Sequence, residues 1–342
     1  MREIVGDIER WRAAGERVAV ATVVATRRSA PRPVGAKLGV SSGGELAGSV
    51  SGGCVENDVF GAAQEVLEGS VPRLVTYGIT DDLAFEVGLP CGGEIDVFVD
   101  VPDEKLLARL EELVEHEGRA VLFTVIEGDG VGEKRLVEEH EADELVAELL
   151  RGGRSKVLEQ DGRKVFAEVF EPPPRLLAVG AVDTAEALCA AAKGLGWHTI
   201  VADPRAKFAT SERIPSADEL HPVWPDVALE RVRPDYATAV VVLTHDDKFD
   251  VPALKGALET EAFYVGALGS RRNQERRRER LLEAGVPEDA LDRISGPCGL
   301  DIGAHTPAET ALSILAEILA ARAGRDGGRL KTAAGRIHAE VA

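Results

Sequence analysis

The sequence predicts an α/β protein: a C-terminal parallel sheet with helices on both faces, joined to a smaller N-terminal α+β domain. Three observations predict it. Beyond Arg175, short apolar runs alternate with helical patterns, as parallel strands with crossover helices require. Before residue 100 the patterns are those of a hairpin and an alternating strand. Between the halves, Pro172-Pro173-Pro174 makes a stiff joint that no helix continues. The expected domains are residues 1–100, a connecting α/β segment 101–171, the C-terminal domain 172–323 and a tail, 324–342, containing Gly324, Gly327, Gly328 and Gly335.

In the first domain a short helix precedes the apolar run 18–26, read as a strand. Lys37–Ser41 and residues 45–49 flank Ser42-Gly43-Gly44 as a β-hairpin. This hairpin accounts for the match of Gly39-Val40-Ser41-Ser42-Gly43 to a hydrolase nucleophile elbow, which needs a strand followed by a helix. Ser51-Gly52-Gly53-Cys54 leads into a helix on which Val55, Val59, Ala62, Ala63, Val66 and Leu67 recur. Cys91-Gly92-Gly93 forms a second glycine turn. It precedes Glu94–Asp100, where Ile95, Val97 and Val99 alternate with Glu94, Asp96 and Asp100 as on a half-buried strand. The segment 101–171 offers a helix near 103–116, a strand near 120–126 and a loop at 128–132. In the C-terminal domain, 176–180, 198–203, 238–244 and 262–269 read as strands. Helices are expected over 184–193, 251–258, 273–284 and 307–321.

Composition excludes several classes of function. Among 342 residues, 59 are acidic and 40 basic, a net charge of −19, which repels phosphate backbones and anionic lipid. Nucleic acid and membranes are therefore not expected partners. No apolar run approaches the roughly 20 residues that span a bilayer, and the charged start lacks a secretory core, so a cytoplasmic location is expected. Cys54, Cys91, Cys189 and Cys298 form no CxxC pair, and no HxxxH occurs, which argues against a zinc ribbon or zincin.

In a parallel sheet, ligands bind outside the carboxyl ends of the strands. Four groups fall there: Gly180 to Asp183, Asp203 to Arg205, Thr244-His245-Asp246 and Gly269-Ser270-Arg271-Arg272. The first stands where a dinucleotide fingerprint would, with Asp203 placed for a ribose hydroxyl. But Val182 replaces its second glycine, and Asp183 puts a negative charge where a helix start favours anions. A Rossmann-like domain that binds no dinucleotide at this turn fits these residues better. Gly269-Ser270-Arg271-Arg272 is the stronger anion site, with a glycine, a helix cap and two guanidinium groups. Arg276, Arg277, Arg278 and Arg280 fit a solvated face with Glu275 and Glu279 as intrahelical partners. In the first domain, Ser51-Gly52-Gly53-Cys54 enters its helix as an anion-binding nest does, and a helix start favours the thiolate that binds soft metals and carries sulfur. Cys54 and Cys91 are equally compatible with small buried residues in tight turns. Cys189 is read as core.

Together these segments resemble the XdhC/CoxF family of accessory proteins for molybdenum hydroxylases. In the first half the resemblance rests on Ala30-Pro31-Arg32-Pro33-Val34-Gly35-Ala36-Lys37, on residues 48–56 around Ser51-Gly52-Gly53-Cys54, and on Cys91-Gly92-Gly93. In the second half it rests on Thr244-His245-Asp246, on residues 266–272 and on residues 299–307. The resemblance implies a chaperone that receives molybdenum cofactor, a phosphorylated pterin whose dithiolene holds the metal. Such a protein assists exchange of an oxo ligand for sulfide, with a cysteine desulfurase as sulfur source, and hands the cofactor to a xanthine-dehydrogenase-like or CO-dehydrogenase-like client. It also implies a homodimer. Cys54 and Cys91 are then candidates for the metal end, and Ser270 with Arg271 for the phosphate. Gly180-Ala181-Val182-Asp183-Thr184-Ala185 departs from the family's usual GAGHxG, and Cys298 stands where an aliphatic residue is expected. The rival expectations are an NAD(P)-dependent oxidoreductase, which the broken fingerprint disfavours, so that NAD(P) is not an expected cofactor, and a docking protein without ligand. A metal centre of Asp183, Asp203, His245 and Asp246 is a further one.

Overall fold

The structure, a computed structural model, describes residues 1–28, 30–78 and 93–332. Cys91, Gly92 and Gly335 lie outside the described residues. The chain forms two compact units, Met1–Pro172 and Pro173–Ala334. Among the described residues, no helix is long and apolar enough to cross a membrane.

The first unit contains two antiparallel sheets. Strands β1 (Val18–Arg27), β2 (Lys37–Ser41), β3 (Leu46–Gly48), β4 (Arg73–Tyr77) and β5 (Glu94–Asp100) pair in the order β3-β2-β1-β5-β4. One face is covered by α2 (Glu56–Leu67), whose Val59, Ala62, Ala63 and Val66 pack on Ala21, Val23, Leu38 and Val97. On the other face Val18 and Val20 meet Ile4 and, from α1 (Val5–Ala13), Ile8 and Trp11. Residues 101–171 add α3 (Glu104–Glu115), α4 (Glu144–Gly152) and a second sheet of β6 (Ala120–Glu127), β7 (Lys134–Glu138), β8 (Lys156–Gln160) and β9 (Arg163–Phe170), ordered β7-β6-β9-β8.

One expectation fails here. β5 is not half-buried, because both faces of its sheet are covered: Asp96 is 6% and Asp100 4% exposed. Each acid is neutralised rather than solvated. Asp96 accepts from Arg27 Nη2 at 2.8 Å and Thr76 Oγ1 at 2.7 Å, and Asp100 pairs with Lys134 of β7 at 2.8 Å. Lys37 of β2 makes a matching buried pair with Glu168 of β9 at 2.9 Å.

The second unit is the expected parallel sheet. Its strands are β10 (Arg175–Val179), β11 (His198–Ala202), β12 (Glu219–His221), β13 (Thr238–Val242), β14 (Tyr264–Ala267) and β15 (Ile294–Ser295), in the order β12-β11-β10-β13-β14-β15. Alternate residues face opposite layers. Leu176, Ala178 and Val241 pack on α5 (Asp183–Lys193) and α10 (Pro307–Arg322) through Leu188, Cys189 and Ile314. Leu177, Val179 and Val240 pack on α6 (Pro225–Val232), α7 (Asp247–Leu258) and α8 (Arg271–Glu283) through Leu229, Leu254 and Leu281. Burial on both faces is why these strands read as unbroken apolar runs. Cys189 and Cys298 are both buried, and burial pushes each thiol up to about 12.

Candidate functional site

β10 starts the sheet; the chain moves outward through β11 to one side and resumes at β13 on the other. The crevice of such a sheet opens at this switch, beyond the carboxyl ends of β10 and β13. Gly180 has φ +112°, and a Cβ there would lie 2.6 Å from the Thr244 methyl, so the two turns pack too closely for any side chain. Asp203, after β11, is fully buried. Its carboxylate accepts four bonds: from Ala181 N at 2.9 Å, Arg205 N at 2.9 Å, Arg205 Nε at 2.9 Å and Arg205 Nη2 at 2.6 Å. These fill its roughly four lone-pair sites. Burial works against its ionisation, but the Arg205 side chain and the two amides outweigh burial and lower its pKa. The acid that stands where a dinucleotide fold would meet a ribose therefore braces its own turn. Arg205 lies 4.2 Å from the Phe208 ring centroid.

Thr244 donates to Asp250, and the other Asp250 oxygen accepts from Arg277 at 2.6 Å. Arg277, 4% exposed, also donates to the Leu268 carbonyl at 3.1 Å and to Gln274 at 2.7 Å. Gln274 Nε2 donates to the Ala267 carbonyl at 3.0 Å. This buried chain ties the turn after β13 to the turn after β14. Sequence reasoning missed Asp250 and Gln274, and it read Arg277 as solvated. The available signal was an acid, Asp250, among the apolar positions Phe249, Ala253, Leu254 and Ala257 of one helix.

Gly269 opens the turn after β14 with φ +142°. Ser270 caps α8 by accepting from Asn273 N at 3.3 Å. Arg271 and Arg272 are exposed, and neither has an ion pair or hydrogen bond among the described residues. The later arginines differ, and their partners are not Glu275 and Glu279. Arg276 faces Asp247 at 3.6 Å, Arg278 faces Glu288 at 3.0 Å, and Arg280 faces Glu283 at 3.6 Å. These acids, Glu283 excepted, come from neighbouring elements, which one-helix periodicity cannot reveal. His245 is exposed, while Asp246 caps α7 and pairs with Lys248 at 3.0 Å. Asp183 is 85% exposed, its nearest cation being Arg213 at 3.9 Å. Among the described residues no three His, Cys, Asp or Glu side chains are placed to hold a metal ion. Asp183, Asp203, His245 and Asp246 thus form no such centre.

In the first unit, Gly52 and Gly53 have φ +76° and +112°, the conformation of a nest. Its amides are not open to a ligand, however. The Glu56 carboxylate accepts from Val50 N at 3.2 Å, Ser51 N at 2.8 Å, Gly53 N at 2.8 Å and Ser49 Oγ at 2.7 Å, and from the Ser51 hydroxyl. Ser51 Oγ in turn accepts from Cys54 N and Val55 N, each at 2.9 Å. Partial burial opposes ionisation of Glu56, but the donors of Ser51 and Ser49 prevail and lower its pKa to about 2. The expected nest is therefore filled by its own first-turn carboxylate, a residue that sequence reasoning passed over. Cys54 is a free, exposed thiol beside it. Gly93 is buried immediately before β5.

Comparison with known proteins agrees with this architecture. Residues 176–318 match the model of the XdhC Rossmann domain, and residues 11–78 that of the XdhC and CoxI family. A probable xanthine dehydrogenase subunit from Bacillus subtilis (strain 168) is 30% identical over 317 residues, covering 90% of this chain and 94% of its own. The molybdenum cofactor insertion chaperone PaoD of Escherichia coli (strain K12) is 28% identical over 310 residues, 90% of this chain and 84% of its own. A crystal structure described as a xanthine dehydrogenase from Bacillus halodurans superposes with a TM-score of 0.71 at 26% identity, covering 96% of this chain and 98% of that one. The chain belongs to the XdhC and CoxI family.

Proposed function

We propose that this protein is a molybdenum-cofactor chaperone: it receives the cofactor, assists its sulfuration and passes it to a molybdenum hydroxylase. The observation that carries the reading is the pair Arg271 and Arg272, two guanidinium groups without partners among the described residues at the capped start of α8. Helix amides and planar guanidinium donors suit a phosphate, and the cofactor's pterin carries one. The exposed Cys54 thiol suits the sulfur-rich metal end as a soft ligand, with Cys91 as its proposed companion. In this reading the partners are a cysteine desulfurase and the client hydroxylase, and the protein works as a cytoplasmic homodimer. The engagement of Asp203 with Ala181 and Arg205 weighs against an NAD(P)-dependent oxidoreductase.

The test is to incubate the protein with molybdenum cofactor, re-isolate it by gel filtration and assay the pterin. Stoichiometric co-elution that weakens in Arg271→Ala and in Cys54→Ala is the expected result. Clean separation of pterin from the wild-type protein would contradict the proposal.

A further inference from the structure

The first unit contains a cavity of about 540 Å³, within the roughly 300–1,000 Å³ range of small-molecule sites. One wall is residues 32–37, a segment that the family resemblance singles out and that the cofactor reading leaves unused. Its backbone is fixed in advance. Gly35, at φ +87°, donates to the Val23 carbonyl at 2.8 Å, and Val23 N donates to Ala36 at 2.9 Å. Pro33, Val34 and Phe170 supply apolar surface, while Arg2, Arg32 and Arg154 supply cationic groups.

Two polar features point to a ligand. The first is the Arg32 guanidinium, which lines the cavity together with Arg2 and Arg154 and pairs with Glu3 through Nη2. The second is the buried pair Lys37–Glu168, which also lines the cavity. The pair gives the cavity a charged patch beside its apolar wall, with Lys37 also donating to Thr22 at 2.9 Å. Glu3 and Glu168 are held by Arg32 and Lys37, and Glu171, the third acid on the wall, is engaged as well.

We infer that this cavity is a second ligand site, separate from Arg271 and Arg272, for a small organic anion with a ring-sized apolar body and a phosphate or carboxylate facing Arg32. A bare phosphate leaves most of the volume and the apolar wall uncovered. The inference does not depend on the cofactor reading.

The experiment is calorimetric titration of the full chain with GMP, guanosine and inorganic phosphate. GMP is expected to bind saturably, and the other two at least about tenfold more weakly. Arg32→Ala is expected to weaken GMP by about tenfold or more. Arg32→Lys, which keeps the charge but removes the planar guanidinium fork, should weaken it similarly with an unchanged melting temperature. Arg271→Ala/Arg272→Ala should leave GMP affinity unchanged. Absence of saturable GMP binding, or binding that falls with the Arg271/Arg272 variant and not with Arg32→Ala, would overturn the inference.

Discussion

The turns after β10 and β14 begin alike. Each has a glycine at positive φ at the carboxyl edge of the same parallel sheet, followed by a helix. They end differently. At Gly180 the neighbouring amide donates to Asp203, and the cation brought by the next strand, Arg205, closes on the same carboxylate. At Gly269 the helix is capped by Ser270, and Arg271 and Arg272 point to no acid among the described residues. The Ser51-Gly52-Gly53 loop behaves like the first turn, with Glu56 supplying the anion. A glycine turn at a helix start is thus a site only if the chain has not already supplied its counter-charge. Loop pattern alone does not distinguish the two cases.

The largest effect is expected where the edge is held together. Asp250→Asn leaves Arg277 buried without its counter-ion, and breaking a buried pair costs about 3–5 kcal/mol. At roughly 2–4 °C per kcal/mol, the melting transition of the second unit should fall by about 10 °C; a shift under 2 °C would show that the network contributes little. A smaller loss follows from Glu56→Ala, about 1–2 kcal/mol after allowance for solvent screening. The Glu56 pKa is lowered from 4.5 to about 2, so its contribution is complete above pH 4.5 and disappears as pH falls toward 2. Chemical denaturation of wild type and variant from pH 7 to pH 2 should therefore converge at the acid end, and a gap independent of pH would refute the assignment. The smallest effect on stability is expected for Arg271→Ala/Arg272→Ala, within about 0.5 kcal/mol, because these side chains release no partner.

The same contrast explains what was legible in the sequence. The strands β10, β11, β13 and β14 stand out because apolar side chains cover both faces and each run is continuous. β12 and β15 are short, and Glu219-Leu220-His221 carries no apolar run at all. In the first unit β9 was missed and β5 misjudged for one reason. Glu168, Asp96 and Asp100 look like solvent-facing residues in a one-dimensional pattern, yet each is buried against a cation from another strand. Arg271 and Arg272 were legible as a cationic helix start. That they have no partner among the described residues, and that Asp203 is engaged, depends on side chains far away in sequence or on a local closure that spacing does not encode.

The most direct test of the central claim compares two variants that each remove two positive charges from α8. Arg271→Ala/Arg272→Ala removes the unpartnered arginines, and Arg276→Ala/Arg278→Ala removes two that already face Asp247 and Glu288. Affinity for molybdenum cofactor should fall about tenfold or more in the first variant and stay within about threefold of wild type in the second. Equal losses in both would mean that bulk charge, and not unclaimed donors at the Gly269 turn, governs binding.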